Sequence, residues 1–422
     1  MQSEVTAPNS ASPSSTSGRV GLRTLSVHSV CLLLFVNLSG ADPVDYPIAI
    51  ALALHLPQIA RSVVLLSRYK IALTLAMAFL LSYTVSAFVG GANVSFVSNF
   101  AINIGLFFVL VAHCTSQSRV RRVVLMLSLG FCLSVLVASL QAFGMLALFP
   151  KQFDAVRDTR FMGLFGDPNL LGAFSVFLCV YWLNELLFTK IRSIPNFMLC
   201  LIIFPIALLT LLFTQSRSAW GGLAFAAILY GYMMFKGLRW RQLVLPFVVV
   251  VGVAGVTIGA LQQAGMLEIV EQRLLNTVES EDEAEAERFG LFYTAVTLGV
   301  AAGNPLGVGP GMAAAATGLT NADGGPIAAH NAFVQVMAEN GWVAGLAFLI
   351  LVSWLLINSM RGGIANASIL GMSTRVIAST TLSFVFCGMF QDLIQWKFSW
   401  VVPAIYVAML LHGSRNWNRF RY

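Results

Sequence analysis

The side chains able to do chemistry are few, and they fall on one side of the hydrophobic pattern. Five histidines are present. His28, His113 and His412 map to one set of ends of the apolar runs and His55 lies inside a run, which leaves His330 alone on the opposite face. His330 follows a Gly- and Pro-rich stretch, Asn304 to Gly311, and opens an apolar run. It is therefore expected at a helix N-terminus near the headgroups, where the helix dipole favours a neutral imidazole able to accept a proton. Viewed alone it serves equally well as a capping residue. Arg217 sits where two runs meet with almost no loop. A charge at that depth is costly and marks a ligand, a partner or a pathway, the plainer reading being a guanidinium that snorkels to lipid phosphate. Arg157 and Arg160 precede a Gly-Asp-Pro-Asn turn that re-enters an apolar run, and Asp154, Asp158 and Asp167 can equally neutralise them as a solvated loop. Arg288 follows the acidic run Glu279 to Glu287 and heads an amphipathic stretch; its bland reading is a surface pair with Glu285.

Guanidinium forks match phosphate oxygens, so several of them beside one imidazole can hold a pyrophosphate and stabilise its charge as it departs. Acidic residues are plentiful on the same face, yet none shows Asp-x-Asp or His-rich ligand spacing. Neither a metal nor a cofactor is expected.

The elements that must position these groups are membrane spans. With 58% hydrophobic and only 10% charged residues, the 422-residue chain has too little charge to cover a soluble globule of that size. A spanning helix needs roughly 20 mostly apolar residues. Hydrophobic runs and their punctuation predict an all-α polytopic membrane protein with about twelve transmembrane helices, near 24–40, 46–66, 71–90, 96–115, 122–143, 168–188, 197–214, 218–236, 242–262, 330–357, 370–390 and 398–413. Of the 25 lysines and arginines, all but Lys151, Arg157, Arg160, Arg217, Arg273, Arg288 and Lys397 fall on the face that holds the N-terminus. This asymmetry predicts cytoplasmic termini and an outward-facing site, and it explains the net charge of +7 without a nucleic-acid partner.

The predicted organisation is a disordered tail over 1–20, spans one to nine over 21–262 with an outer loop at 146–167, an outer segment over 263–329, spans ten to twelve over 330–414, and a tail over 415–422. The outer segment between spans nine and ten is expected to be helical, with a surface helix over 279–297. All six cysteines lie in or at the ends of apolar runs, so no disulfide framework is expected.

The motifs together resemble the bacterial O-antigen ligase and O-antigen polymerase superfamily over roughly 150–350. The resemblance rests on Arg160 with Gly163 and Pro168-Asn169, on Ser216-Arg217-Ser218-Ala219-Trp220, on Arg288 ahead of Pro305-Leu306-Gly307-Val308-Gly309, and on His330-Asn331 followed by Glu339-Asn340-Gly341. The ligase branch is closer, since nine residues separate Asn331 from Gly341; Ala344 departs from its pattern, which wants Gly, Thr or Tyr there. The resemblance implies a metal-independent inverting glycosyltransferase of the bacterial inner membrane. Its donor would be O-antigen on undecaprenyl diphosphate, and its acceptor a hydroxyl of the lipid A-core at the periplasmic face. Taken with the residue chemistry, this leads His330, Arg217 and Arg288 to be expected in catalysis, and Arg160, Arg157, Asn169, Gln215 and Asn331 in substrate binding. An O-antigen polymerase and an O-linked oligosaccharyltransferase stay open as alternatives. A lipid-linked glycan transporter would instead show broken helices or ionisable residues near the bilayer midplane.

Overall fold

The computed structural model describes residues 21–36, 43–142, 145, 156–157, 160–188, 194–235, 305–317, 330–364 and 368–412. The two tails, the ninth predicted span over 242–262, the surface helix over 279–297 and Arg288 lie outside the described residues.

Apolar runs of this length satisfy every backbone group internally by folding as helices. Those described are α1 (Leu22–Leu33), α2 (Asp45–Leu66), α3 (Lys70–Val89), α4 (Val94–His113), α5 (Gln117–Ala142), α6 (Pro168–Phe188), α7 (Ile194–Phe213), α8 (Arg217–Phe235), α9 (Ala313–Thr317), α10 (Ala332–Ile364), α11 (Thr374–Gly388) and α12 (Val401–His412). The strands among the described residues form two small antiparallel hairpins, β1 (Val156–Arg157) with β2 (Arg160–Phe161) and β3 (Ser368–Ile369) with β4 (Met372–Ser373). Eight helices, α2 to α8 and α10, are long and apolar enough to cross a membrane, so the chain is an all-α polytopic membrane protein.

Helix α6 is the centre of the bundle. In its most apolar window 78% of the residues are buried, against 22% for α10. Asp167 starts it, accepting the backbone N–H groups of Asn169 (2.7 Å) and Leu170 (3.1 Å) ahead of Pro168. Trp182 donates to Ser128 Oγ at 2.8 Å and so fastens α6 to α5. Small residues allow α8 and α11 to approach closely: a Cβ added at Gly222 would lie 2.6 Å from Ser383 Oγ and 2.9 Å from Cys387 Sγ.

Two features differ from the sequence reading. The run expected as one span from His330 is two helices, over 332–340 and 342–364, joined at Gly341 with φ 81° and ψ 170°. Only glycine accepts that backbone readily, and a side chain there would run into the carbonyl of Pro305. The break would orphan the last carbonyls of the first half, but the Gly-rich loop supplies partners. Val308 N–H donates to Ala338 O and Gly309 N–H to Glu339 O, both at 2.9 Å, while Ser86 Oγ donates to Glu339 O at 2.6 Å.

The spans expected over 370–390 and 398–413 are likewise shorter, and 389–396 between them is not helical. Buried Asn103, halfway along α4, donates to the carbonyls of Ile394 (3.3 Å) and Gln395 (2.9 Å), and Trp400 Nε1 donates to Ile394 O at 2.9 Å. Irregular backbone at that level is tolerable because protein side chains meet its polar groups. His55 lies inside α2, with its Nε2 3.3 Å from Nδ1 of His113, the last residue of α4.

Candidate functional site

At one end of the bundle the starts of α6, α8 and α10 and the ends of α7 and α11 surround a cavity of about 320 Å³. Its lining is Arg160, Asn169, Gln215, Arg217, Ser218, His330, Phe386 and Phe390. Five of these eight were singled out in the sequence: Arg160, Asn169, Gln215, Arg217 and His330.

Each is positioned by a local necessity. Arg160 leaves the β1–β2 hairpin, where it pairs with Arg157. Its Nε donates to Thr214 O at 3.1 Å and its Nη2 to Asn169 Oδ1 at 2.6 Å, so its guanidinium is oriented by α6 on one side and the α7–α8 turn on the other. That turn consists only of Thr214, Gln215 and Ser216, all buried. Gln215 has φ 49°, a left-handed conformation that costs a non-glycine residue about 1 kcal/mol or more. The strain permits α8 to begin at once, and Arg217, its first residue, stands exposed at the cavity. Ser216 caps α8, its Oγ accepting from Ala219 N–H at 3.4 Å.

His330 also has a left-handed backbone, φ 46°. Three described non-glycine residues have positive φ, and two of them, Gln215 and His330, line the cavity. Strain of this kind persists where surrounding contacts over-determine it, and it concentrates at functional sites. The cap of α10 is Asn331, not His330. Its Oδ1 accepts from Phe333 N–H (3.0 Å) and Val334 N–H (3.1 Å), and its Nδ2 donates to Met389 O at 3.0 Å. Both ends of that amide are therefore occupied within the protein. Asn331 is not among the residues that line the cavity, and it ties His330 to the end of α11.

For Arg157 the backbone alone is described, and Arg288 lies outside the described residues. Sequence reasoning missed Ser218, Phe386 and Phe390. Ser218 was named only as part of a motif, and the phenylalanines resemble any lipid-facing side chain in an apolar run. Phe386 and Phe390 pack together with ring centroids 5.2 Å apart, forming an aromatic wall beside the cationic groups. No group of three or more His, Cys, Asp or Glu residues able to hold a metal occurs among the described residues. The arrangement can do two things: bind an anion through guanidinium groups and take up a proton on imidazole.

The family model described as O-Antigen ligase matches residues 201–349, a stretch containing Gln215, Arg217, Ser218, His330 and the break at Gly341. Arg160, Asn169, Phe386 and Phe390 lie beyond it and reach the cavity through the fold. No curated protein matches the chain. The match supports an enzyme of the O-antigen ligase or polymerase type acting on lipid-linked polysaccharide in the membrane. The match over residues 201–349 thus supports a place for the chain in the O-antigen ligase and polymerase superfamily.

Proposed function

We propose that this protein transfers O-antigen polysaccharide from undecaprenyl diphosphate to a sugar hydroxyl of the lipid A-core at the periplasmic face of the inner membrane. One observation carries the reading: the guanidinium groups of Arg160 and Arg217 and the imidazole of His330 line a single cavity. The basic residues concentrated on the opposite face support the orientation.

In this reaction the acceptor oxygen attacks the anomeric carbon and inverts it. The bond from that carbon to the diphosphate oxygen breaks, and the diphosphate leaves with the electron pair. His330 takes the acceptor's proton. Arg160 and Arg217 hold the departing charge, with Arg288 expected to join them, and stabilise it more as it develops than in the bound donor. Asn169 fixes Arg160, and Gln215 supplies the turn that brings Arg217 to the cavity. The aromatic wall offers an apolar surface to lipid or sugar, and neither a metal nor a cofactor enters the scheme.

Replacing His330 by Ala is expected to lower transfer by at least about 100-fold, within the range for a general base, while membrane accumulation and undecaprenyl diphosphate binding stay near wild type. Reconstituted protein given lipid-linked glycan and each acceptor in turn measures this. Normal transfer by the variant would remove His330 as the base. Extension of the carrier-linked glycan instead of lipid A-core labelling would make the enzyme a polymerase. A protein acceptor would make it an oligosaccharyltransferase.

Broken helices such as that at Gly341 and irregular segments such as 389–396 also occur in transporters. The break, however, lies within the stretch that matches the ligase family, and the cationic side chains of the cavity sit at one end of the bundle. Both observations favour transfer over translocation.

A further inference from the structure

Ser218 and Gln391 have no role in the scheme above, yet the fold joins them at the cavity. Ser218 is the second residue of α8 and lines the cavity beside Arg217. Gln391 belongs to the irregular segment between α11 and α12 that Asn103 holds halfway down α4. It is 4% exposed, and its Nε2 donates to Ser218 Oγ. Its own Oε1 is buried with no hydrogen-bond partner among the described residues, a cost that packing alone gives no reason to keep.

Proton counting then gives the serine a direction. Ser216 Oγ accepts from Ala219 N–H at 3.4 Å and lies 3.2 Å from Ser218 Oγ. Ser216 is fully buried, so its hydroxyl proton needs an acceptor close by, and among the described residues Ser218 Oγ is the hydroxyl oxygen at hydrogen-bond distance. Ser218 Oγ thus receives two hydrogen bonds, one from Ser216 and one from Gln391. Its single proton is left for the cavity. The string runs one way, from Ala219 N–H through Ser216 and Ser218, and bonds in such a chain polarise one another. It emerges at the N-terminal turn of α8, the positive end of the helix dipole.

We infer that Ser218 is a further anion-binding residue of the site, donating its hydroxyl proton to a phosphate oxygen of the diphosphate, and that Gln391 is a positioning residue that holds the proton in that direction. This rests on the proposed reading of the cavity as the diphosphate site.

The test measures how strongly undecaprenyl diphosphate inhibits transfer by the full-length protein in lipid nanodiscs, with undecaprenol as the apolar control. Ser218→Ala is expected to weaken undecaprenyl diphosphate about tenfold, the size of one hydrogen bond to a charged group, and to leave undecaprenol unchanged; Ser218→Thr restores the affinity. Gln391→Met removes the amide at similar volume and weakens the diphosphate a few-fold. Gln391→Glu places an acceptor against Ser218, draws the proton away from the cavity, and matches Ser218→Ala. A merely structural role would shift both probes together and make Met and Glu alike. If Arg217→Ala weakens undecaprenyl diphosphate while Ser218→Ala and Gln391→Glu do not, the serine inference falls and the diphosphate site stands. If Arg217→Ala also leaves that affinity untouched, the reading of the site itself falls.

Discussion

Helices α6 and α10 both begin at the cavity, and they are built in opposite ways. Helix α6 is continuous, capped by Asp167, and buried over most of its surface. Beside its first turn Arg160 is fastened twice, to Asn169 and to Thr214 O. Helix α10 is interrupted after its ninth residue, and His330 precedes a short piece fixed by the Gly-rich loop, by Ser86 and by Asn331. The side of the cavity that carries Arg160 thus rests on the core of the bundle. The side that carries His330 rests on a piece of nine residues, seven of them buried, that Gly341 separates from the rest of α10, so its polar ties decide where it sits.

Substitutions can break that contrast or sharpen it. The largest effect is expected from Gly341→Ala. Its φ of 81° disfavours any side chain, and the carbonyl of Pro305 occupies the Cβ position. Strain and overlap together are worth several kcal/mol, so transfer should fall at least about 100-fold and the Gly-rich loop should become accessible to protease. A variant with wild-type transfer would show that the break does not set the position of His330.

Asn331→Ala comes next. It removes a helix cap worth about 1 kcal/mol and the tie to Met389, so transfer should drop roughly tenfold with a small loss of thermal stability measured in the same nanodiscs. Equal loss of donor binding and of turnover would contradict a local displacement of His330.

The smallest effect is expected from Asn169→Ala. Arg160 keeps its bond to Thr214 O, so a change of only about three-fold in the apparent KM for donor is expected, less than 1 kcal/mol. A loss as large as that of Asn331→Ala would mean that the two sides of the cavity are equally delicate.

Much of this architecture was legible in the chain. Spans two to eight follow from uninterrupted apolar runs, and Arg217 and His330 stood out because cations and histidines are scarce on that face. The break at Gly341 was hidden because a hydropathy window averages across it: Val334, Val336, Trp342 and Val343 on either side are all apolar. The short α11 and α12 depend on Asn103 reaching Ile394, 291 positions away, and no local pattern records such a contact. Gln391 escaped notice for the same reason, since its partner Ser218 is 173 positions distant.

The turn formed by Thr214, Gln215 and Ser216 has a consequence for how such an enzyme can diversify. Its three residues are buried and one is already held in a strained backbone, so the hinge between α7 and α8 admits no inserted residue without displacing Arg217. Adaptation to new substrates must therefore be written into the longer connections around the cavity, while the Arg217 end keeps a constant length.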